Sequence, residues 1–125
     1  MFLHIDPSNG FAIYDQVVRQ VKFAVAQGAI KPGNLVPSVR EMAKDLAINP
    51  NTVARAYQQL QSDGVLATVR GTGLEVTSEA LKHCRSERSR LIQARLRQTL
   101  TEARQSGIEV ADLRELVETE LTSLN

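Results

Sequence analysis

Apolar residues in the first half of the chain recur with the spacing of short amphipathic helices. The first apolar stripe begins at Ile13, keeps a period near 3.6 residues and stops at Gly28, a residue type that commonly ends helices. A second stripe begins after Ser38, which stands three residues before Glu41 as in a capping box. It stops near Ala47, which predicts two helices separated by a loop.

A third helix and a hairpin are predicted to follow. Asn49 is a favoured N-cap residue, Pro50 suits the first helical position, and Gly64 marks the end of the helix. Two short apolar runs, 65–69 and 74–77, then predict strands joined by a glycine-rich turn. Two helices with a short turn between them, followed by a hairpin, predict a winged helix-turn-helix.

The second half of the chain is predicted to be helical. An apolar stripe runs from Leu81 to Ala103, and a second covers 110–124 beyond a Ser-Gly pair. The predicted fold class is therefore mainly α with a small β-hairpin. We expect a winged helix-turn-helix domain over 1–77 and a helical dimerisation region of two helices over 78–125.

The composition narrows the possible functions without identifying one. The chain has 125 residues and a net charge of +1, and its first 77 residues carry basic and acidic groups in nearly equal number. Any attraction for DNA therefore depends on where the few cations lie. Phe2, Leu3 and Ile5 predict a short strand or an extended arm before the first helix, rather than a signal peptide.

Residues with catalytic or metal-binding chemistry are scarce. Cys84 is the one cysteine, and His4 and His83 are the two histidines, so a metal site is poorly supplied with ligands. Cys84 lies in an apolar stripe and is predicted to be a core residue, with a sensing thiol as the alternative. We expect no enzyme activity, no cofactor, no metal and no membrane span, and a cytoplasmic location.

The exposed side of the third predicted helix is polar and suits DNA. Asn51, Thr52 and Arg55 lie on this side when the apolar residues face inward. Arginine pairs with guanine and asparagine with adenine in the major groove, while threonine contacts phosphates or thymine methyl groups. An ordinary solvated helix surface would have a similar composition, so the helix-turn-helix context is what favours DNA.

The predicted helices of the second half carry opposite charges. Residues 82–97 are rich in Lys and Arg, whereas 109–120 are rich in Asp and Glu. We expect the two helices to pair within one chain or across a dimer, although the basic run would also extend a DNA-facing surface. Apolar side chains would drive the assembly. The predicted dimerisation residues are Ile92, Leu96, Leu100, Leu113, Val117 and Leu121.

The order of motifs over about residues 11–77 resembles the DNA-binding domain of GntR-family regulators. The matching segments are Ile13-Tyr14-x-Gln16-Val17, Leu35-x-Pro37-Ser38-Val39-Arg40, Asn49-x-Asn51-Thr52-Val53, Gly64-Val65-Leu66 and Gly71-Thr72-Gly73. The short helical tail is similar to that of the YtrA-type branch. Ala12 stands where the family usually has proline, and Leu74-Glu75-Val76 departs from its usual aromatic pattern.

The resemblance implies DNA contacts at defined positions. It assigns them to Arg40 in the Pro-Ser-x-Arg motif, to the start of the third helix, and to the wing tip, while Arg55 is added from helix geometry. The predicted DNA-binding residues are Ser38, Arg40, Asn49, Asn51, Thr52, Arg55, Arg70 and Gly71.

The resemblance also implies partners. We expect a homodimeric transcription regulator, more specifically a repressor, that binds double-stranded DNA at a palindromic operator, with an unidentified small-molecule effector left open. The alternative is a winged-helix module for protein–protein interaction that does not bind DNA.

Overall fold

A computed structural model describes residues 3–125, so the prediction made for Phe2 lies outside the described residues. The predicted fold class is confirmed: helices dominate and one antiparallel hairpin interrupts them. The elements are α1 Ile13–Gln27, α2 Val39–Leu46, α3 Pro50–Ser62, β1 Leu66–Val69, β2 Gly73–Val76, α4 Ala80–Gln105 and α5 Val110–Ser123.

Local capping signals set the helix ends that position the site. The Ser38 hydroxyl accepts a hydrogen bond from the Glu41 backbone N–H at 3.2 Å, and the Glu41 carboxylate accepts one from the Ser38 N–H, which confirms the capping box. Asn49 Oδ1 accepts from the Asn51 N–H at 2.8 Å and caps α3. α1 begins at Ile13 even though Ala12 provides no side-chain cap.

The chain divides after Arg88 into two compact units, which are described separately. The first unit contains α1, α2, α3, the hairpin and the first turns of α4. Its aliphatic core is formed by one side of each helix together with the inner residues of the hairpin. Its largest fully buried side chains are Val17, Val21, Val25, Met42, Val53, Leu60, Val65, Val76 and Cys84.

The hairpin differs from its predicted form in two ways. β1 starts one residue later than predicted, at Leu66. β2 lies one residue earlier than predicted, since it starts at Gly73. The loop before α2 also pairs with β2: the Val36 N–H donates to the Leu74 carbonyl at 3.0 Å, and Leu35 bridges Glu75. This pairing, which the sequence did not predict, connects the wing directly to the start of α2.

The N-terminal segment is held by glutamine side chains of α1. No strand is assigned to residues 3–5, so the described part of this segment is an extended arm, with Leu3 buried. Gln16 is buried and its amide binds both the N–H and the carbonyl of Asp6, at 2.9 and 2.8 Å. Gln20 exchanges hydrogen bonds with the backbone of His4 in the same way.

The second unit, Ser89–Asn125, comprises the rest of α4 and the whole of α5. Within α5 no residue is buried, although five of its fourteen residues are Val or Leu. The large apolar side chains of this unit that are most exposed are Ile92, Leu96, Val110, Leu116, Val117, Leu121 and Leu124. A single chain therefore leaves much of the apolar surface of this unit in contact with water.

Candidate nucleic-acid interface

Helix α3 separates its apolar and polar residues onto opposite sides, as predicted. Val53, Ala56, Tyr57 and Leu60 are buried and anchor the helix in the core. On the opposite side, Asn51 and Arg55 are exposed and Thr52 is half-buried. The polar side chains at the start of α3 are thus free to meet a ligand outside the domain.

Two of the predicted DNA-binding residues also have a structural function. The side-chain oxygens of Ser38 and Asn49 each accept a backbone hydrogen bond at a helix start. The Ser38 hydroxyl hydrogen and the Asn49 amide hydrogens remain as donors, since capping uses only the acceptor oxygen. Both side chains are exposed, and each lies where a helix presents its positive dipole end.

The guanidinium group of Arg55 rests on an aromatic ring. Its central carbon lies 3.8 Å from the centroid of the Tyr14 ring in α1, a cation–π contact that the sequence analysis did not foresee. Arg55 is exposed and Tyr14 is half-buried, so the ring supports one face of the guanidinium. The contact restricts the rotamers of Arg55 while its N–H edges stay free to donate.

A buried tyrosine hydroxyl ties α3 to the segment that carries Arg40. The Tyr57 hydroxyl donates to the Pro37 carbonyl at 2.7 Å, directly before Ser38 and the start of α2. Burial raises the pKa of Tyr57, and the nearby Glu41 carboxylate adds to the effect, so this hydroxyl stays protonated and keeps donating. Arg40 itself is exposed in the first turn of α2.

The wing tip is a tight turn with an exposed cation. Gly71 has a φ of +77°, a left-handed conformation that glycine adopts without strain, and the Thr72 N–H donates to the Val69 carbonyl at 3.0 Å. Arg70 is exposed at this turn. Gln61 at the end of α3 donates to Thr68 in β1 at 3.3 Å, so the wing is connected to the third helix.

One cation of this domain is unavailable to an external ligand. Lys22 is buried and its ammonium group lies 2.8 Å from Asp63 Oδ2 and 3.3 Å from Glu87 Oε1. Lys22 is therefore not one of the cations that could attract DNA. The exposed cations of residues 3–77 are Lys31, Arg40, Lys44, Arg55 and Arg70.

Cys84 is a core residue, as predicted. Its side chain is completely buried, and burial raises the pKa of the Cys84 thiol to about 11. Throughout residues 3–125, no three Cys, His, Asp or Glu side chains come together as metal ligands would. In the same part of the chain, no helix combines the length and the apolarity that crossing a membrane requires.

Comparison with known proteins places these features in a family context. Residues 13–76 match the family model described as bacterial regulatory proteins, gntR family. The HTH-type transcriptional repressor YtrA of Bacillus subtilis is 35% identical over 115 residues, which cover 92% of this chain and 88% of YtrA.

Two solved structures extend the comparison. A GntR family transcriptional regulator from Listeria monocytogenes has a TM-score of 0.72 and 30% identity, with 92% of this chain and 98% of that chain covered. The DNA-binding domain of AraR in complex with operator ORE1 has a TM-score of 0.52 and 26% identity, and covers 58% of this chain and 89% of that chain.

Proposed function

Since this chain belongs to the gntR family of bacterial regulatory proteins, as its motifs predicted, we propose that it is a repressor that binds a palindromic DNA operator as a homodimer. The observation that carries this proposal is the exposed polar start of α3. The opposite, apolar side of this helix is buried, and it holds α3 between the segment that carries Arg40 and the wing. The similarity to a DNA-binding domain in complex with its operator supports the same conclusion.

The proposed contacts divide into base recognition and backbone positioning. Asn51, Thr52 and Arg55 enter the major groove with α3, and Arg40 reaches bases or phosphates from the first turn of α2. Arg70 and Gly71 approach the minor groove, where a narrow A·T tract attracts arginine. The helix starts at Ser38 and Asn49 donate to phosphates, which fixes the register of the domain on the duplex.

The proposed homodimer rests on the apolar residues of the second unit. Ile92, Leu96 and Leu121 are each about half exposed in the single chain, which favours burial against a second copy. Leu100, Leu113 and Val117 belong to the same proposed surface. We retain 78–125 as the dimerisation region and 1–77 as the DNA-binding domain, because one small domain rarely buries enough surface for operator-grade affinity.

Selection of bound duplexes from a random DNA pool tests this function directly. We expect the selected sequences to contain two inverted half-sites about 34 Å apart, one turn of the double helix. Affinity for the selected duplex should fall about 10³-fold or more between 50 and 200 mM salt, if about six phosphates are contacted. Binding that is absent or insensitive to salt would refute the proposal and favour the protein-interaction module.

The Arg40→Ala variant tests one residue of the proposed interface by its affinity for the selected duplex. Loss of a bidentate contact to one base pair should weaken binding to the selected duplex by about 10- to 100-fold, with little change on random DNA. Lys31→Ala is the matched control, because it also removes one exposed cation but is not among the proposed DNA-binding residues. An Arg40→Ala protein that binds the selected duplex as tightly as the control would exclude Arg40 from the site.

A further inference from the structure

One exposed cation of the proposed interface is held by an aromatic ring. Arg55 lies in the second turn of α3, and the central carbon of its guanidinium group is 3.8 Å from the centroid of the Tyr14 ring in the first turn of α1. This short separation places the guanidinium over the face of the ring, where the negative face of the aromatic quadrupole attracts a cation. The contact lies entirely within the first compact unit.

The ring holds Arg55 without using any of its hydrogen-bond donors. Across residues 3–125, Arg55 forms no hydrogen bond and no ion pair, so its N–H groups remain available to an external acceptor. The exposed guanidinium groups of Arg40 and Arg70 have no ring, carboxylate or carbonyl partner in the same part of the chain. Arg55 is therefore distinguished from the other two arginines of the proposed interface by its support.

A supported side chain binds with a smaller loss of entropy than a mobile one. An exposed arginine samples many rotamers, and fixing it on a ligand opposes binding. The Tyr14 ring restricts Arg55 before any ligand is present, and the planar guanidinium keeps its fork of donors when it lies on an aromatic face. The position of the fork is thus set by the fold of the domain.

We infer that Tyr14 is a specificity-determining residue, because it positions Arg55 to read the major-groove edge of one guanine in each half-site. Guanine presents two acceptors on that edge, O6 and N7, which match an arginine fork, and no other base presents two. Tyr14 is a positioning residue that does not itself read a base. The inference rests on the proposed function, since it names the base that one of the proposed contacts reads.

The first part of the test identifies the acceptor of Arg55. An arginine fork also matches a phosphate, but a phosphate contact weakens binding to all sequences alike, whereas a base contact changes which sequence is preferred. Duplexes are selected from a random pool with the full-length wild-type protein and with Arg55→Ala. We expect Arg55→Ala to lose a preference for guanine at one position of each half-site. A uniform loss on all duplexes, or a lost preference for another base, would overturn the inference.

The second part measures the effect of the ring at that position. Affinity is compared between the selected duplex and one in which that guanine is replaced by adenine. Tyr14→Ala should reduce the preference for guanine about 3- to 10-fold, because Arg55 must then be ordered by the base itself. Tyr14→Phe keeps an aromatic face and should retain the preference within about twofold. An unchanged preference in Tyr14→Ala, or an equal loss in Tyr14→Phe, would overturn the inference.

Phe23→Ala is the matched control for the loss of an aromatic ring from α1. Phe23 is half-buried like Tyr14, and it also lies beneath an arginine, since the central carbon of Arg19 is 5.5 Å from its ring centroid. Arg19 belongs to α1 and is not among the proposed DNA-binding residues. We expect Phe23→Ala to keep the preference for guanine. A loss as large as that of Tyr14→Ala would attribute the effect to packing and overturn the inference.

A double-mutant cycle separates positioning of Arg55 from a direct contact of Tyr14 with DNA. If Tyr14 acts only through Arg55, adding Tyr14→Ala to Arg55→Ala should change the affinity for the selected duplex by less than about twofold. Losses that add in the double variant would show that Tyr14 contributes by another route, and would overturn the inference.

The motion of the Arg55 side chain provides a readout that needs no DNA. In the free wild-type protein, the NMR order parameter of Arg55 Nε should exceed those of Arg40 and Arg70, and Tyr14→Ala should lower it to their level. An order parameter that is unchanged in Tyr14→Ala would overturn the inference. Failure of the wild-type protein to select any operator would instead refute the proposed function without affecting this measurement, so the two failures are distinguishable.

Discussion

Replacing Leu96 and Leu121 together by aspartate tests the proposed homodimer. The two leucines are 51% and 53% exposed in the single chain, so about half of each side chain remains to be buried by a partner. Burying a whole leucine side chain stabilises by about 1.5–3 kcal/mol, and half of it by about 0.8–1.5 kcal/mol. A two-fold interface contains each residue twice.

The four leucine side chains of a dimer therefore contribute about 3–6 kcal/mol, which corresponds to about 10²- to 10⁴-fold in the dissociation constant. Aspartate removes this contribution and adds the cost of placing a carboxylate in an apolar surface. We expect the Leu96→Asp, Leu121→Asp protein to be monomeric at micromolar concentration in sedimentation velocity, and to bind the selected operator poorly.

The matched control is Gln98→Asp with Thr119→Asp. It adds the same two charges to the same two helices, at exposed positions two residues away and hence about 200° around each helix. This control should remain dimeric. A dissociation constant that is unchanged in the leucine variant, or a wild-type protein that is monomeric at micromolar concentration, would refute the reasoning.

Two further predictions concern buried groups of the first unit. Tyr57→Phe leaves the Pro37 carbonyl without its donor and should lower the free energy of unfolding by about 1–3 kcal/mol. We also expect weaker operator binding. Denaturation curves that match those of the wild-type protein would contradict this prediction. At pH 8 Cys84 should react with iodoacetamide at least about 100-fold more slowly than in urea, because a pKa of about 11 instead of 9.0 suppresses the thiolate. Since that pKa is raised on folding, the contribution of Cys84 to stability should be fully present below pH 9 and be lost as pH rises towards 11. Equal alkylation rates in the two states would show that the thiol is accessible.

The helices were predictable because their ends are encoded by neighbouring residues. The capping box of Ser38 and Glu41 spans four residues, and Asn49 with Pro50 marks the start of α3 without reference to the rest of the chain. Once these ends were set, the apolar period determined which side of α3 is exposed. Asn51 was placed on the exposed side by this argument alone.

The contacts that escaped prediction depend on residues distant in sequence. Nothing near Lys22 indicates that its partners are Asp63 and Glu87, and an exposed lysine is the ordinary expectation. The Tyr14 ring supports Arg55 from a helix more than 40 positions earlier. Periodicity assigns residues to sides of an element, but it carries no information about which other element a side will meet.

Recognition and positioning are only partly assigned to different residues in this domain. Arg40, Asn51 and Arg70 are exposed, and substitutions at such positions usually change stability little. Ser38 and Asn49 also cap helices.

The relative positions of the residues proposed to contact DNA depend on buried polar groups: Tyr57 joins α3 to the Arg40 segment, and Lys22 joins α1 to α3 and α4. Replacing a buried ion pair by apolar residues of the same volume is often neutral or stabilising, so stability alone does not explain why such groups are retained. Hydrogen bonds to base edges lose most of their strength when donor and acceptor are displaced by about an ångström. A DNA-binding domain therefore has a physical reason to retain buried polar contacts that stability alone does not require.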